Sequence, residues 1–115
     1  MGVIGLGLMG AALARRFLEH GYRVKVWNRT RAKADPLLAE GAEWSDNPLA
    51  ACPRVVVSLF TTENVIEVLE QMRAGWREGL VILDTTTGEP EQTAALEDRL
   101  ATHGVRYLDA PISGS

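Results

Sequence analysis

Val3-Ile4-Gly5-Leu6-Gly7-Leu8-Met9-Gly10 opens the chain and decides how the rest of it reads. Two β-branched residues run into three glycines spaced G-x-G-x-x-G, and a helix-like segment follows at once. The pattern is the end of a short buried strand turning directly into a helix. Gly5 permits the tight turn. Gly7 lets backbone approach a pyrophosphate, because no Cβ stands in the way, and Gly10 lets the helix pack closely on the strand. The start of the helix then aims its free N–H groups and the positive end of its dipole at phosphate. Glycine-rich turns are common, so the motif alone is a weak signal. It gains meaning from a strand before it, a helix after it and a second strand about 20 residues on, and all three can be read here.

Working outward, the first helix is expected over residues 8–20, with Met9, Leu13 and Phe17 as its apolar stripe. His20-Gly21 ends it, with glycine in the left-handed cap position. Residues 22–27 form the second strand, alternating around Val24 and Val26. A helix over 31–40 is interrupted by Pro36, so Asp35-Pro36 reads as an N-cap followed by proline at the first helical position, with Gly41 as the stop. Residues 42–44 make a brief strand, and Ser45 is placed to cap a short helix through Pro48 and Ala51.

The β-branched, apolar run over 54–60 is the best central strand. Thr61-Thr62-Glu63-Asn64 reads as the loop after it, and Val65, Ile66, Leu69 and Met72 as the buried face of the next helix. A buried strand over 80–83 ends in Asp84-Thr85-Thr86-Thr87-Gly88. A helix with an acidic first turn follows over 89–103, then a last strand over 105–108. Strict alternation of strand and helix requires parallel strands with helical crossovers. The fold class is therefore α/β, a Rossmann-type doubly wound parallel sheet, as a single domain over residues 1–115. No repeat, low-complexity segment or linker interrupts it.

Composition agrees with a soluble globular domain: 115 residues, 46% hydrophobic, 23% charged. A net charge of -3 argues against a nucleic-acid or anionic-membrane surface. The single cysteine, Cys52, has no partner for an internal disulfide and reads as a small buried hydrophobe. The apolar run over 2–14 lacks the preceding basic residues of a signal peptide. No apolar stretch reaches the about 18 residues of a membrane span. The expected location is the cytoplasm, so the sequon Asn28-Arg29-Thr30 has no glycosylation to support. No metal-ligand set is read.

In such a sheet, ligands bind outside the carboxyl ends of the strands. Four polar clusters fall there: Asn28-Arg29-Thr30, Thr61-Thr62, Thr85-Thr86-Thr87 and Ser113-Gly114-Ser115. The end of the second strand is the sharpest. An NAD site wants an acid there to accept from the ribose 2′-OH. Here Asn28 stands in that place, followed by Arg29 and Thr30, with Arg31 and Lys33 just beyond. A carboxylate would repel a 2′-phosphate, whereas Arg29 can grip it with two donors. At roughly 1.5–3 kcal/mol for a charged hydrogen bond, the preference for NADP over NAD is expected to be tenfold or more.

Taken together, Gly5-Leu6-Gly7-Leu8-Met9-Gly10, Asn28-Arg29-Thr30, Asp84-Thr85-Thr86-Thr87 and Asp109-Ala110-Pro111-Ile112-Ser113-Gly114-Ser115 give the chain a clear resemblance. Over essentially its whole length it resembles the N-terminal cofactor domain of the β-hydroxyacid dehydrogenase family. That family includes 3-hydroxyisobutyrate dehydrogenase, 6-phosphogluconate dehydrogenase and the glyoxylate/succinic semialdehyde reductases. Asn-Arg-Thr resembles the NADP-preferring reductase branch. The resemblance implies that Leu59, Phe60 and Thr61 line the nicotinamide side, and that Thr87 contacts cofactor or substrate. It also implies that Ser113, Gly114 and Ser115 hold a substrate carboxylate, although the family usually has a second glycine where this chain has Ser115.

The chemistry implied is hydride transfer between the nicotinamide and a small 3-hydroxy acid, semialdehyde or 2-oxo acid. The general acid of that reaction is, by the same resemblance, a lysine on a second, all-helical domain. Lys25 lies in the second strand and Lys33 in the adenine-side helix, so neither is expected at the nicotinamide, and the chain offers no catalytic residue of its own. Cofactor binding without turnover is the expectation. The alternative is a non-catalytic nucleotide-binding or protein-interaction module on the same fold. An end at Ser115 is expected to leave apolar surface uncovered and to favour self-association.

Overall fold

In the computed structural model, which describes residues 1–112, strand and helix alternate from the glycine motif to the last strand. The elements are β1 (Gly2–Ile4), α1 (Leu8–Glu19), β2 (Lys25–Trp27), α2 (Asp35–Ala39), β3 (Glu43–Trp44) and α3 (Pro48–Ala51). They continue with β4 (Arg54–Val57), α4 (Thr62–Gln71), β5 (Val81–Asp84), α5 (Pro90–Ala101) and β6 (Arg106–Asp109). Among the described residues these strands form one sheet in the order β3-β2-β1-β4-β5-β6, every neighbouring pair parallel. The chain winds outward from β1 to β3, returns, and continues on the other side of β1 from β4. The order reverses between β1 and β4, and a crevice opens there at the carboxyl ends of the strands.

The strands are apolar on both faces because helices cover both. Val3, Val26, Leu6, Ala14 and Leu37 build one core, under α1 and α2. Ile4, Val55, Val57 and Ile82 build the other with Val65, Leu69 and Leu100 from α4 and α5. The α1 face is covered unevenly. Along the paired row Val3, Val56, Leu83, Leu108, exposure rises from 0% at Val3 through 5% at Val56 to 43% at Leu108. Among the described residues no helix is long and apolar enough to cross a membrane.

Several local features differ from the pattern read in the sequence. The contact face of α1 is the small pair Gly10 and Ala14, whereas Met9 and Leu13 are only half-buried. A close crossing admits small side chains at its centre and pushes long ones to the flank. Phe17 packs against that core and meets Tyr22 edge-on at 5.9 Å, so Tyr22 stays outside β2. Residues 31–34 form a 3₁₀ turn, and Asp35 is already the first residue of α2 rather than its cap.

Asn47, not Ser45, caps α3: its Oδ1 accepts from the Ala50 N–H at 3.2 Å, and Ser45 Oγ accepts from the Asn47 N–H at 3.2 Å. β4 stops at Val57, and Thr61 caps α4 through Oγ1, which accepts from the Asn64 N–H at 3.1 Å. The loop between them therefore shrinks to residues 58–60. Glu89 caps α5 by accepting from the Glu91 and Gln92 N–H groups. Cys52 is buried.

Candidate cofactor-binding site

The glycine turn is held by contact on two sides and open on the third. Gly5 adopts φ +97°, and a Cβ there would lie 2.0 Å from the Ser58 carbonyl oxygen. A Cβ on Gly10 would lie 1.8 Å from the Gly5 carbonyl oxygen. These two glycines let β1, the β4 loop and α1 close on one another. Gly7 is different: it is exposed, its φ of -70° suits any residue, and its missing Cβ would meet nothing within 4 Å. The open space above Gly7 is where backbone can face a ligand.

The first turn of α1 is also left open. Gly7 occupies its N-cap position, and no side chain bonds to the leading N–H groups. At α3 and α4 one of these groups is met by Asn47 and Thr61 respectively, and at α5 two are met by Glu89. Unpaired N–H groups at a dipole's positive end suit an anion.

Two side-chain clamps fix the loops around this opening. Asn28, at the end of β2, accepts from the Leu6 N–H through Oδ1 at 2.8 Å and donates from Nδ2 to the Thr30 carbonyl at 3.0 Å. Its amide therefore ties the glycine turn to the β2 loop. On the other side, the Leu59 N–H donates to Thr86 Oγ1 at 2.9 Å, and the Thr86 N–H donates to Asp84 Oδ1 at 2.9 Å. The Tyr107 hydroxyl donates to Asp84 Oδ2. Thr85 donates both its N–H and its hydroxyl to the Val57 carbonyl, each at 2.8 Å. β4, β5 and β6 are thus linked at their carboxyl ends. Burial pushes the Asp84 carboxyl above the usual range, against the lowering effect of its bonds from Tyr107 and Thr86. Burial, and next the bond to Asp84, push the Tyr107 phenol up as well.

A cleft of about 760 Å³ runs across the switch point. Gly5, Leu6, Gly7, Leu8 and Met9 line it from the glycine turn, and Asn28 from β2. Leu59, Phe60 and Thr87 line it from the β4 and β5 loops. Leu8 and Phe60, 96% and 88% exposed, stand on its rim. A second cleft of about 370 Å³ adjoins it between the β2 loop and α4, lined by Arg29, Thr30, Trp27, Asn64 and Val68.

Two residues read as cofactor contacts line neither cleft. Gly10 lies beneath the turn as packing, and the Thr61 hydroxyl is committed to the α4 cap. Ser113, Gly114 and Ser115 lie outside the described residues, while Ile112 reaches the rim of the larger cleft.

The clefts also contain residues the sequence reading did not single out as contacts. Ser58 and Arg15 line the larger one, and Lys33 lines both. Lys33 is a cation four residues after Arg29, close behind the end of β2, which was the available signal. The local charges are partly neutralised: Arg15 meets Glu40 at 3.0 Å, and Arg29 Nη2 donates to Glu67 Oε1 at 3.0 Å. Arg31 stacks on Trp44 at 4.7 Å and lines neither cleft. Lys33 has no ion pair among the described residues. An uncapped helix start, a glycine open to the cleft and cations beside it together fit a dinucleotide in size and charge.

Known proteins share this fold. The family model described as the NAD binding domain of 6-phosphogluconate dehydrogenase matches residues 1–115. The chain is 36% identical over 115 residues to an NADPH-dependent reductive aminase of Aspergillus oryzae, covering 97% of this chain and 39% of that protein. It is 31% identical over 121 residues to glyoxylate/succinic semialdehyde reductase 2 of Arabidopsis thaliana, covering 100% of this chain and 34% of that one. Among solved structures, an imine reductase from Myxococcus stipitatus in complex with NADP+ superposes with a TM-score of 0.90 at 33% identity, over 99% of this chain and 41% of the other. The chain thus spans about two fifths of the length of these relatives or less.

Proposed function

This chain belongs to the β-hydroxyacid dehydrogenase family as an NAD(P)-binding domain, and on that premise we propose that it binds NADP(H) in preference to NAD(H). The observation that carries the preference is at the end of β2. Asn28, where an NAD site would place an acid, has its amide bonded to Leu6 and Thr30, while Arg29 and Lys33 line the adjoining cleft. A guanidinium and an ammonium there favour a 2′-phosphate over a bare hydroxyl. The A. oryzae relative, named as NADPH-dependent, and the M. stipitatus structure with NADP+ support the same choice.

In this reading the open first turn of α1 and the space above Gly7 receive the pyrophosphate. Leu59 and Phe60, steadied by Thr86, present an apolar wall to the nicotinamide side. Thr87, together with Ser113, Gly114 and Ser115, orients a small carboxylate-bearing substrate. When bound, the cofactor supplies a hydride for exchange with the carbonyl or carbinol carbon of a small 3-hydroxy acid, semialdehyde or 2-oxo acid.

Turnover also needs a proton for the developing alkoxide. Lys25 is turned to Glu43 at 3.5 Å, and Lys33, which lines both clefts, reaches them from the 3₁₀ turn after β2 and not from the β4 and β5 loops on the nicotinamide side. The family resemblance implies that the proton donor is a lysine of a helical catalytic domain, and on this reading residues 1–115 are expected to bind cofactor without turnover.

Calorimetric titration with NADPH and with NADH tests this reading. NADPH is expected to bind at least tenfold tighter, and Arg29→Asp to erase the difference. Equal binding of the two would refute the preference while leaving the dinucleotide site. No binding by a folded chain would refute the site itself and turn the reading toward an interaction module.

A further inference from the structure

Resting on the NADP(H) reading above, we propose that Glu67 sets the strength of the cofactor preference by competing with the 2′-phosphate for Arg29. Arg29 leaves the end of β2 and Glu67 stands on α4, so their bond joins the two elements that border the second cleft. Asn64 and Val68, which flank Glu67 on that helix, line the same cleft, as do Arg29 and Thr30. The contact is a single one, Nη2 to Oε1 at 3.0 Å, and both side chains are 61% exposed.

A guanidinium held in this way offers a 2′-phosphate only part of its donor fork, and beside a carboxylate. Gripping the phosphate with two donors means breaking the Glu67 contact or setting two anions on one cation. A bare 2′-hydroxyl makes no such demand. Glu67 therefore taxes NADPH and leaves NADH untouched. The tax is small, because an exposed ion pair is weak and readily broken. Lys33 adds positive charge to the same cleft without a carboxylate of its own among the described residues, which keeps the net preference toward the phosphate.

The test is calorimetric titration of the full chain and its Glu67→Gln variant with NADPH and NADH. Glutamine keeps the shape of the side chain and removes its charge. NADPH is expected to bind about two- to fivefold tighter to the variant, the range an exposed ion pair spans, with NADH unchanged. The gain should shrink as salt is raised, because exposed charges are screened. A NADPH-to-NADH preference that stays the same or falls would overturn the proposal. Falling preference would mean that Glu67 pre-positions Arg29 instead of competing for it.

Arg29→Gln separates this proposal from the reading beneath it. If the parent chain binds NADPH and NADH equally, the NADP(H) reading fails. If it prefers NADPH and Arg29→Gln leaves that preference intact, Arg29 does not read the 2′-phosphate and the role of Glu67 falls with it. If Arg29→Gln abolishes the preference and Glu67→Gln changes nothing, only the role of Glu67 fails. The double variant should match Arg29→Gln alone, because a competitor without its cation has nothing to compete for. Thermal unfolding of each variant without cofactor confirms that the chain stays folded.

Discussion

Gly7 and Gly10 sit three residues apart in one motif, yet alanine at each should have a different effect. At Gly10 the new Cβ would lie 1.8 Å from the Gly5 carbonyl oxygen, so backbone must move by more than an ångström. Overpacking costs about 1–3 kcal/mol, and a clash with backbone rather than with the far end of a side chain belongs to the upper part of that range, about 2–3 kcal/mol. Alanine recovers about 1 kcal/mol of helix propensity, leaving a net loss of about 1–2 kcal/mol. At ~4 °C per kcal/mol for a chain of this length, the melting temperature should fall by ~4–8 °C. At Gly7 the φ of -70° suits alanine and its Cβ would meet nothing within 4 Å. The modest penalty for alanine at an N-cap, under about 1 kcal/mol, is offset by the ~0.4–1 kcal/mol that alanine removes from unfolded-chain freedom. Gly7→Ala should therefore melt within ~2 °C of the parent.

Binding should go the other way. A methyl group in the space above Gly7 stands between the α1 N–H groups and a pyrophosphate. Losing one charged hydrogen bond of about 1.5–3 kcal/mol weakens NADPH by tenfold or more. Thermal unfolding followed by circular dichroism, with calorimetric titration of NADPH, reads both effects. A Gly7→Ala chain that melts like the parent and binds NADPH equally well would show that no pyrophosphate approaches Gly7, and the placement of the cofactor would be wrong.

Three further outcomes follow from the clamps. Burial raises the Asp84 pKa from its ordinary 3.8. In the window above 3.8 the folded chain thus holds a proton that the unfolded chain has released, and stability falls as pH rises until the raised value is passed. Asp84→Asn removes this titration. Melting temperature against pH should show the parent losing ground to the variant as pH rises above the ordinary carboxyl value of 3.8, whereas parallel curves would refute it. Asn28→Ala leaves the Leu6 N–H without its 2.8 Å acceptor, and should cost about 1–2 kcal/mol. It should also speed hydrogen exchange at Leu6; an unchanged exchange rate would mean the clamp does not hold the turn. Thr86→Val strips the acceptor from the Leu59 N–H. It should cost about 1–3 kcal/mol, and a melting temperature equal to the parent's would remove Thr86 from the support of the nicotinamide wall.

The doubly wound sheet was legible because its signals are local. Glycine spacing, apolar runs and the regular return of strand after helix need no knowledge of what touches what. Details that depend on contact were not. The stripe Met9, Leu13, Phe17 follows helical periodicity, but the helix turns Gly10 and Ala14 to the sheet because only small residues let it come so close. Thr61 looked like loop and proved to be a cap, since a hydroxyl placed before a free helix start will take its N–H groups. The bonds that shape the candidate site join residues 22, 23 and 38 apart: Leu6 to Asn28, Tyr107 to Asp84, and Arg29 to Glu67. Nothing in a single sequence announces such pairs. Lys33 was visible as a charge, but its reach into both clefts depends on the 3₁₀ turn at 31–34.

The two cores differ in how much chain each needs before it can form. The one under α1 and α2 draws all its buried members from residues 3–42. The other runs from Ile4 to Tyr107 and closes only when the last strand is in place. β1 belongs to both, pairing first with a strand little more than 20 residues away and later with β4, some 50 residues on. During synthesis the first core can therefore assemble on the ribosome while β1 still carries an open edge, which waits for β4 to emerge. Short loops close at lower entropic cost than long ones, so refolding should protect the amides of β2 before those of β5. Pulse-labelled hydrogen exchange would detect the reverse order. The glycine turn, lying where the early half meets the late one, takes its final shape only when Ser58 arrives against Gly5. If the β2 amides are protected before those of β5, the early half is a platform without a working phosphate turn, and the capacity to hold a nucleotide is expected to arrive late in folding.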